Sequence, residues 1–381
     1  MKHLGDIRKI SGYTAPIVDV AIGGSPCEDL SIAGKRAGLG GERSGLFMEQ
    51  IRVVKEMRIK DERSGRTGVD IRPRYMVWEN VPGAFSSHKG EDFRIVLEEI
   101  AKIKDQNAVI PMPEDGKFRT SGCILGNGWS IAWRVLDAQF WGVPQRRRRI
   151  SLVADFGGQS ASEILFIRKS LSGDSDEIWE AREKTASNPS GSFRGTDCIG
   201  FDGYNGDLTG SKSSTLGINC GFTTGRNGVI VYSIDQGGGK SACNVSEGKA
   251  PTLTCTHGGE PAVCYNRKVR RLTPLECERL QGFPDGWTNI GEWIDSKGKK
   301  RKASDTARYE ALGKSIALPQ WKWVLKRICA CYERDATMAS LFDGIGGFPY
   351  LWEQLNGKGS CLWASEIEEF PIAVTKVRIG E

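Results

Sequence analysis

Four short segments of the 381-residue chain place reactive side chains at the ends of apolar runs. The first is Gly23-Gly24-Ser25-Pro26-Cys27, which follows Ile17-Val18-Asp19-Val20-Ala21-Ile22 and leads into the glycine-rich stretch Gly34–Gly45, broken by Lys35, Arg36 and Arg43. Open α/β sheets hold ligands at the C-terminal ends of parallel strands, and nearby cations favour the thiolate form of a cysteine, so Cys27 is a candidate nucleophile. A buried small residue is the plainer alternative. The second segment, Tyr75-Met76-Val77-Trp78-Glu79-Asn80-Val81-Pro82, runs an apolar strand into a carboxylate. Glu79 is therefore a candidate general acid, with helix capping as the alternative. In the third, Gln145 to Ile150, alternate residues of an extended segment point the same way, so Arg147 and Arg149 face one side; a solvated basic run is the competing reading. The fourth, Ala339 to Phe348, is a strand followed by a glycine turn through Phe342, Asp343, Gly344 and Gly346. About twenty residues later, strand Cys361–Ala364 ends at Ser365-Glu366, where an acidic residue meets ribose hydroxyls. The pair marks an adenosine-containing cofactor.

The elements that must carry these residues alternate between apolar runs and amphipathic stretches, the pattern of an α/β layer structure with a largely parallel sheet. Strands are expected at Ile17–Ile22, Tyr75–Trp78, Trp129–Leu136, Ile150–Ala154, Ala339–Phe342 and Cys361–Ala364. Helices are expected at Gly45–Met57, Asp92–Ile103 and Pro319–Tyr332, with another opened by Pro349. Residues 157–265 hold 19 of the 48 glycines and read as a loop-rich insert. Within it, Ser214-Thr215-Leu216-Gly217 is echoed by Pro251-Thr252-Leu253-Thr254, at most a duplicated β-rich element.

Composition narrows the class. With 39% hydrophobic residues the chain can bury a real core, and its formal charge of +6 is a mild basic excess whose placement matters more than its size. No stretch approaches about 20 uninterrupted apolar residues, and the first residues carry no charged-then-apolar leader, so a protein of the cytoplasm, outside the membrane, is expected. Eleven cysteines without a Cys-x-x-Cys pair read as reduced thiols, with neither zinc nor a disulfide framework.

Taken together, the segments resemble the cytosine-5 DNA methyltransferases of bacterial or phage type. The resemblance rests on the cofactor glycine motif Phe342-Asp343-Gly344-Ile345-Gly346-Gly347, the nucleophile motif Gly24-Ser25-Pro26-Cys27, Glu79-Asn80-Val81 and the Gln-x-Arg-x-Arg set Gln145, Arg147 and Arg149. A fifth motif runs from Arg271-Leu272-Thr273-Pro274 to Arg279-Leu280-Gln281-Gly282-Phe283-Pro284. The family starts with the glycine motif, whereas this chain opens at Gly5-Asp6-Ile7, resembling the family's third motif, and supplies Phe342 and Glu366 last. The order is circularly permuted: Met338 looks like a former start, Glu333–Thr337 like the new joint, and the two chain ends should lie close together.

The resemblance implies a Rossmann-like mixed sheet with helices on both faces, plus a smaller loop- and β-rich target-recognition domain. Residues 1–156 are the first part of the catalytic domain, 157–304 the recognition domain and 305–381 the second catalytic part. It implies that Cys27 adds to cytosine C6, that Glu79 supplies a proton or hydrogen bond at N3 and N4, and that Arg149, with Arg147 beside it, contacts O2. S-adenosylmethionine would place its adenine near Phe342, Asp6 and Ile7, its ribose on Glu366 and its methionine end near Gly344 and Gly346, with Asp343 and Ser315 also lining the site. No metal is called for, because the sulfonium already activates the methyl group. The target base must be flipped from double-stranded DNA, with the Gly34–Gly45 loop closing behind it. Two departures stand out: Glu28 where the family has glutamine, and Lys314 where it has asparagine. The implied setting is a monomeric DNA-modification enzyme of a bacterium or phage, in the host cytoplasm on the nucleoid, of the kind that functions beside a restriction endonuclease; a catalytically silent DNA-binding relative and an RNA cytosine methyltransferase are the alternatives.

Overall fold

The computed structural model describes residues 1–25, 45–166 and 272–380 throughout, and only the backbone of short strands between 199 and 271. Cys27, Glu28, residues 34–44 and both copies of the internal echo lie outside the described residues. The chain divides into two compact units, one of residues 1–136, 148–171 and 320–381, the other of 137–147 and 172–319.

The first unit is built on strands β1 (Lys2–His3), β2 (Val20–Gly23), β3 (Tyr75–Asn80), β4 (Ser121–Gly126), β5 (Trp129–Asp137) and β6 (Arg148–Asp155). The second unit holds β7 (Ile199–Asp202), β8 (Asp207–Gly210), β9 (Gly228–Ile230), β10 (Tyr232–Asp235), β11 (Asn244–Glu247), β12 (Ala262–Tyr265), β13 (Lys268–Arg271), β14 (Glu292–Ile294) and β15 (Lys300–Lys302). β16 (Met338–Leu341) and β17 (Cys361–Ser365) return to the first unit. Its eight strands run in the order β1-β17-β16-β2-β3-β6-β5-β4. The first five are parallel, and β6 lies antiparallel to β3. The fold is thus the expected Rossmann-like mixed sheet. In the second unit the described strands pair as β8-β7-β9, β11-β10-β12-β13 and the hairpin β14–β15.

β2 and β16 are buried at every residue and β3 at all but Glu79, which requires cover on both faces of the sheet. Helices α1 (Gly45–Arg63) and α2 (Glu91–Ala101) cover one face. They join Phe47, Ile51, Val54, Phe93, Val96 and Ile100 to Met76, Trp78, Leu152 and Trp363 in one core. Each such side chain contributes roughly 1.5–3 kcal/mol relative to exposure. The remaining helices are α3 (Ala161–Leu165), α4 (Pro274–Gln281), α5 (Asp305–Lys314), α6 (Leu318–Cys329), α7 (Gly347–Asn356) and α8 (Glu369–Arg378). Trp321 of α6 meets Phe348 of α7 edge to face, with ring centroids 5.0 Å apart.

Several boundaries move from their sequence-based places, each for a polar reason. α1 runs past Met57 because Arg58 and Asp61 are buried as partners of backbone: Arg58 donates to the Ile71 carbonyl at 2.9 Å, and Asp61 accepts from the Arg72 N–H at 2.8 Å. Apolar periodicity stops there although burial does not. β2 begins at Val20 rather than Ile17, since Asp19 turns its carboxylate to Arg334 and Thr337. β16 ends at Leu341 because Phe342 adopts φ +57°, a left-handed conformation that no strand continues. The Met1 ammonium donates to the Gly380 carbonyl at 3.2 Å, so the two ends meet as the motif order requires.

Candidate active site

The parallel strands end level with one another: Leu341 pairs with both Gly23 and Ser365, and Gly23 pairs with Trp78. The turns after β2, β3, β16 and β17 therefore share the C-terminal edge, where open α/β sheets hold ligands. β6 enters at this edge from the opposite direction, with Ile150 opposite Asn80.

At the centre, Arg149 Nε lies 3.0 Å from Glu79 Oε1, both side chains being mostly buried. The arm that leads to Cys27 is fastened beside them. Trp78 Nε1 donates to Ser25 Oγ at 3.0 Å, and Asn80 Nδ2 donates to the Ser25 carbonyl at 3.4 Å. A Cβ on Gly24 would sit 2.8 Å from Glu79 Oε2, so only glycine leaves that carboxylate oxygen its space. Trp78, Ser25 and Asn80 thus position the site; Ser25 and Asn80 stand inside the motifs quoted above, whereas Trp78 reads in the sequence only as an apolar strand residue.

The Gln-x-Arg-x-Arg segment alternates as expected, with Gln145 and Arg147 buried, Arg149 half-buried and Arg146 and Arg148 exposed. Within the second unit Arg147 donates from Nη2 to the carbonyls of Gly313, at 3.1 Å, and Ser315. Its own backbone N–H is held by Asp137 at 3.1 Å. Arg147 therefore pins the turn at Ser315, which ends α5. Nearby Glu278, fully buried, accepts from the N–H groups of Gly286 and Thr288 at 2.7 and 2.8 Å and pairs with Arg308 at 3.3 Å. The Arg-Leu-Gln-Gly-Phe-Pro motif is ordered by this carboxylate. Lys314 pairs with Glu310 at 2.9 Å on the exposed side of α5.

Of the residues expected around the cofactor, those of the first unit converge, whereas Ser315 belongs to the second unit. Glu366 Oε2 accepts the Gly344 N–H at 2.7 Å, while Oε1 takes the N–H groups of Ile367 and Glu368. The Asp343 N–H donates to the Ser365 carbonyl at 3.0 Å, and Ser365 Oγ donates to the Gly5 carbonyl at 2.9 Å, which brings in Asp6 and buried Ile7. Asp6 caps the short helix after it and pairs with Arg8 at 2.7 Å, a bond that lowers its pKa. Gly346 has φ +81° and stands so close to α8 that a Cβ would meet Ile379 Cδ1 at 2.8 Å. Beside Gly344 a Cβ would meet nothing within 4 Å, so the turn opens onto free space.

Asp343 lies beneath this turn with its second oxygen lacking a hydrogen-bond partner, while Ser340 Oγ donates to the first at 2.5 Å. Burial pushes the carboxyl up to about 8, opposed by the Ser340 hydroxyl and reinforced by Glu366. The folded protein thus keeps a proton that the unfolded chain releases near 3.8, so stability falls as pH rises through this window and levels off above about 8. In Asp343→Asn the decline in melting temperature between about pH 6 and about pH 9 is expected to be shallower than in wild type. Equal slopes would show that Asp343 is already ionised in the fold.

Among the described residues no group of three or more His, Cys, Asp or Glu could hold a metal ion, and no helix is long and apolar enough to cross a membrane.

Comparison with known proteins gives this geometry a lineage. A phage P1 protein of Escherichia, named DNA N-6-adenine-methyltransferase, is 27% identical over 88% of this chain and 56% of its own length. The type II methyltransferase M.BsuFI of Bacillus subtilis is 24% identical over 85% of this chain and 60% of its own. The chain thus spans between half and two thirds of these relatives. The solved structure of the S. pombe Dnmt2 methyltransferase covers 85% of the chain at 17% identity, with a TM-score of 0.41. The model of the C-5 cytosine-specific DNA methylases matches residues 1–107 and 124–330. That match takes in the Cys27, Glu79 and Arg149 segments together with the Gln281–Pro284 block, and on it the chain belongs to the C-5 cytosine-specific DNA methylase family.

Proposed function

We propose that this chain is a DNA cytosine-5 methyltransferase acting on a flipped-out cytosine in a specific duplex sequence. The observation that carries the reading is the Glu79–Arg149 pair beside Gly24 and Ser25, the two residues before Pro26-Cys27. A nucleophile on that arm and a carboxyl group on β3 facing the ring nitrogens are the two groups that addition to cytosine needs. Cys27 forms a sulfur–C6 bond, the displaced π electrons reach C5, and Glu79 meets the charge that spreads to N3 and N4. Arg149 holds Glu79 in place and offers a guanidinium to O2. After C5 has been alkylated, its proton passes to water, the C5–H electron pair re-forms the C5=C6 bond, and the Cys27 thiolate leaves C6.

S-adenosylmethionine, when bound, supplies a methyl group activated by its sulfonium. The open turn at Gly344 fits such a group, with Phe342, Asp6 and Ile7 for the adenine, Glu366 for the ribose, and Gly346 beside the methionine end. Asp343 supports the turn from below.

The test is covalent trapping on duplex DNA carrying 5-fluorocytosine, with the methyl donor present and Cys27→Ala as control. Fluorine cannot leave C5 as a proton does, so the reaction stops at the adduct. A denaturant-resistant complex that requires Cys27 is expected, and on ordinary DNA the product nucleoside should be 5-methylcytosine. No adduct from folded protein that binds DNA would indicate a silent relative. Trapping on RNA alone would indicate an RNA enzyme, and N6-methyladenine as product would align the chain with its phage P1 relative.

A further inference from the structure

The β14–β15 hairpin belongs to none of the motifs above, yet it holds the densest charge in the chain. Five of the six residues 297–302 are cationic, Lys297, Lys299, Lys300, Arg301 and Lys302, and their sum nearly equals the whole chain's formal excess of +6. All five are exposed. Register places Glu292 opposite Lys302 and Ile294 opposite Lys300, so these four residues share one face of the ribbon. Ile294 is 67% exposed, and Glu292 is the only acid on that face. Among the described residues none of the four lysines makes an ion pair.

The turn that presents them is built rather than loose. Buried Asp295 accepts the N–H groups of Lys297 and Lys299 on Oδ1 at 3.0 and 2.8 Å, and Arg301 Nε on Oδ2 at 2.9 Å. Gly298 supplies the left-handed residue at the tip, with φ +76°. Arg301 is thereby committed to the scaffold, while the four lysines remain available. Lys300 and Lys302, two residues apart on a strand, lie roughly 7 Å from each other and can meet separate charges on an extended polyanion.

We propose that this hairpin, near the end of the segment 157–304, is a phosphate-backbone contact for duplex DNA that is indifferent to base sequence. The proposal rests on the DNA-methylating reading of the active site and assigns that substrate a second anchoring surface. An ordered row of unpaired lysines matches a polyanion by charge, and release of condensed counterions drives such binding.

The test is duplex affinity as a function of salt for wild type and for the combined variant Lys297→Gln, Lys299→Gln, Lys300→Gln and Lys302→Gln. All four side chains are exposed, so melting temperature and binding of the methyl donor should be unchanged. The dependence of log K on log salt is expected to become shallower by about 2–4, and affinity at roughly 0.1 M salt to fall at least about tenfold, equally for specific and unrelated sequences. Arginine at the same four positions should restore both. An unchanged slope in the glutamine variant overturns the hairpin contact and leaves the active-site reading intact, as does a loss confined to RNA. A wild type that binds no duplex overturns both.

Discussion

Glu79→Gln is expected to lower turnover on duplex DNA by about 10²- to 10⁴-fold, the range for removing a positioned proton donor, while the affinities for DNA and methyl donor change only a few-fold. Glutamine matches glutamate in size and can still hydrogen-bond, but it cannot give up a proton as charge develops on the ring. The ion pair with Arg149, 3.0 Å in length, separates the two residues' parts. Arg149→Gln is expected to cost roughly tenfold, because it mainly orients the carboxylate. Combining the two should be little worse than Glu79→Gln alone, since residues in contact do not contribute independently. Single-turnover methyl transfer measures this cycle. A Glu79→Gln enzyme within tenfold of wild type would remove Glu79 from the chemistry.

The second large effect lies at the base of the same strands. Asp19 is 1% exposed and accepts from Arg334 at 2.9 and 2.6 Å and from the Thr337 N–H and hydroxyl at 2.8 and 2.9 Å. The N–H groups of Asp19 and Val20 meanwhile donate to the Thr337 carbonyl at 3.0 Å. This cluster binds the joint at 333–337 to the start of β2 and so sets β16, with the glycine turn beyond it, beside the Cys27 strand. Asp19→Ala is expected to destabilise the first unit by about 1–3 kcal/mol, because it removes the buried carboxylate that the Thr337 N–H and hydroxyl and the half-exposed Arg334 all bond. Urea unfolding reads this as a lower midpoint with an unchanged slope. Burial alone would raise the Asp19 pKa, but the Arg334 and Thr337 bonds together outweigh it and hold it below 3.8. Its ionised form therefore contributes fully above about pH 4 and is lost as pH falls through the lowered value. The stability gap between wild type and Asp19→Asn should close under acid, and a constant gap would mean that the carboxylate charge is not what holds the joint.

Much of the candidate site was legible in the sequence because its signals are local. Glu79, Asp343, Gly344 and Glu366 each stand where an apolar strand gives way to polar or glycine residues, and a strand end marks itself within about six residues. The family motifs repeat those local signals in a new order, and the ends Met1 and Gly380 meet as that order demands. The α1 boundary was less legible, because its last turn is buried through Arg58 and Asp61, which carry no apolar periodicity.

Other assignments depend on partners far apart in the chain. Arg147 reads as a companion of Arg149, yet it bonds to carbonyls 166 and 168 residues away. Asp19, inside a run that reads as a plain strand, reaches Arg334 and Thr337 across more than 300 residues. The lysines at 297–302 form a visible charge run, but only the hairpin and the Asp295 turn show that four are presented together while Arg301 is held by the scaffold. From sequence alone came the residue types, the strand ends and the family. Tertiary structure decided which cations and carboxylates the scaffold holds, because a charged side chain's partners are the donors and acceptors that folding brings to it, and for Arg147 and Asp19 those lie more than 150 residues away.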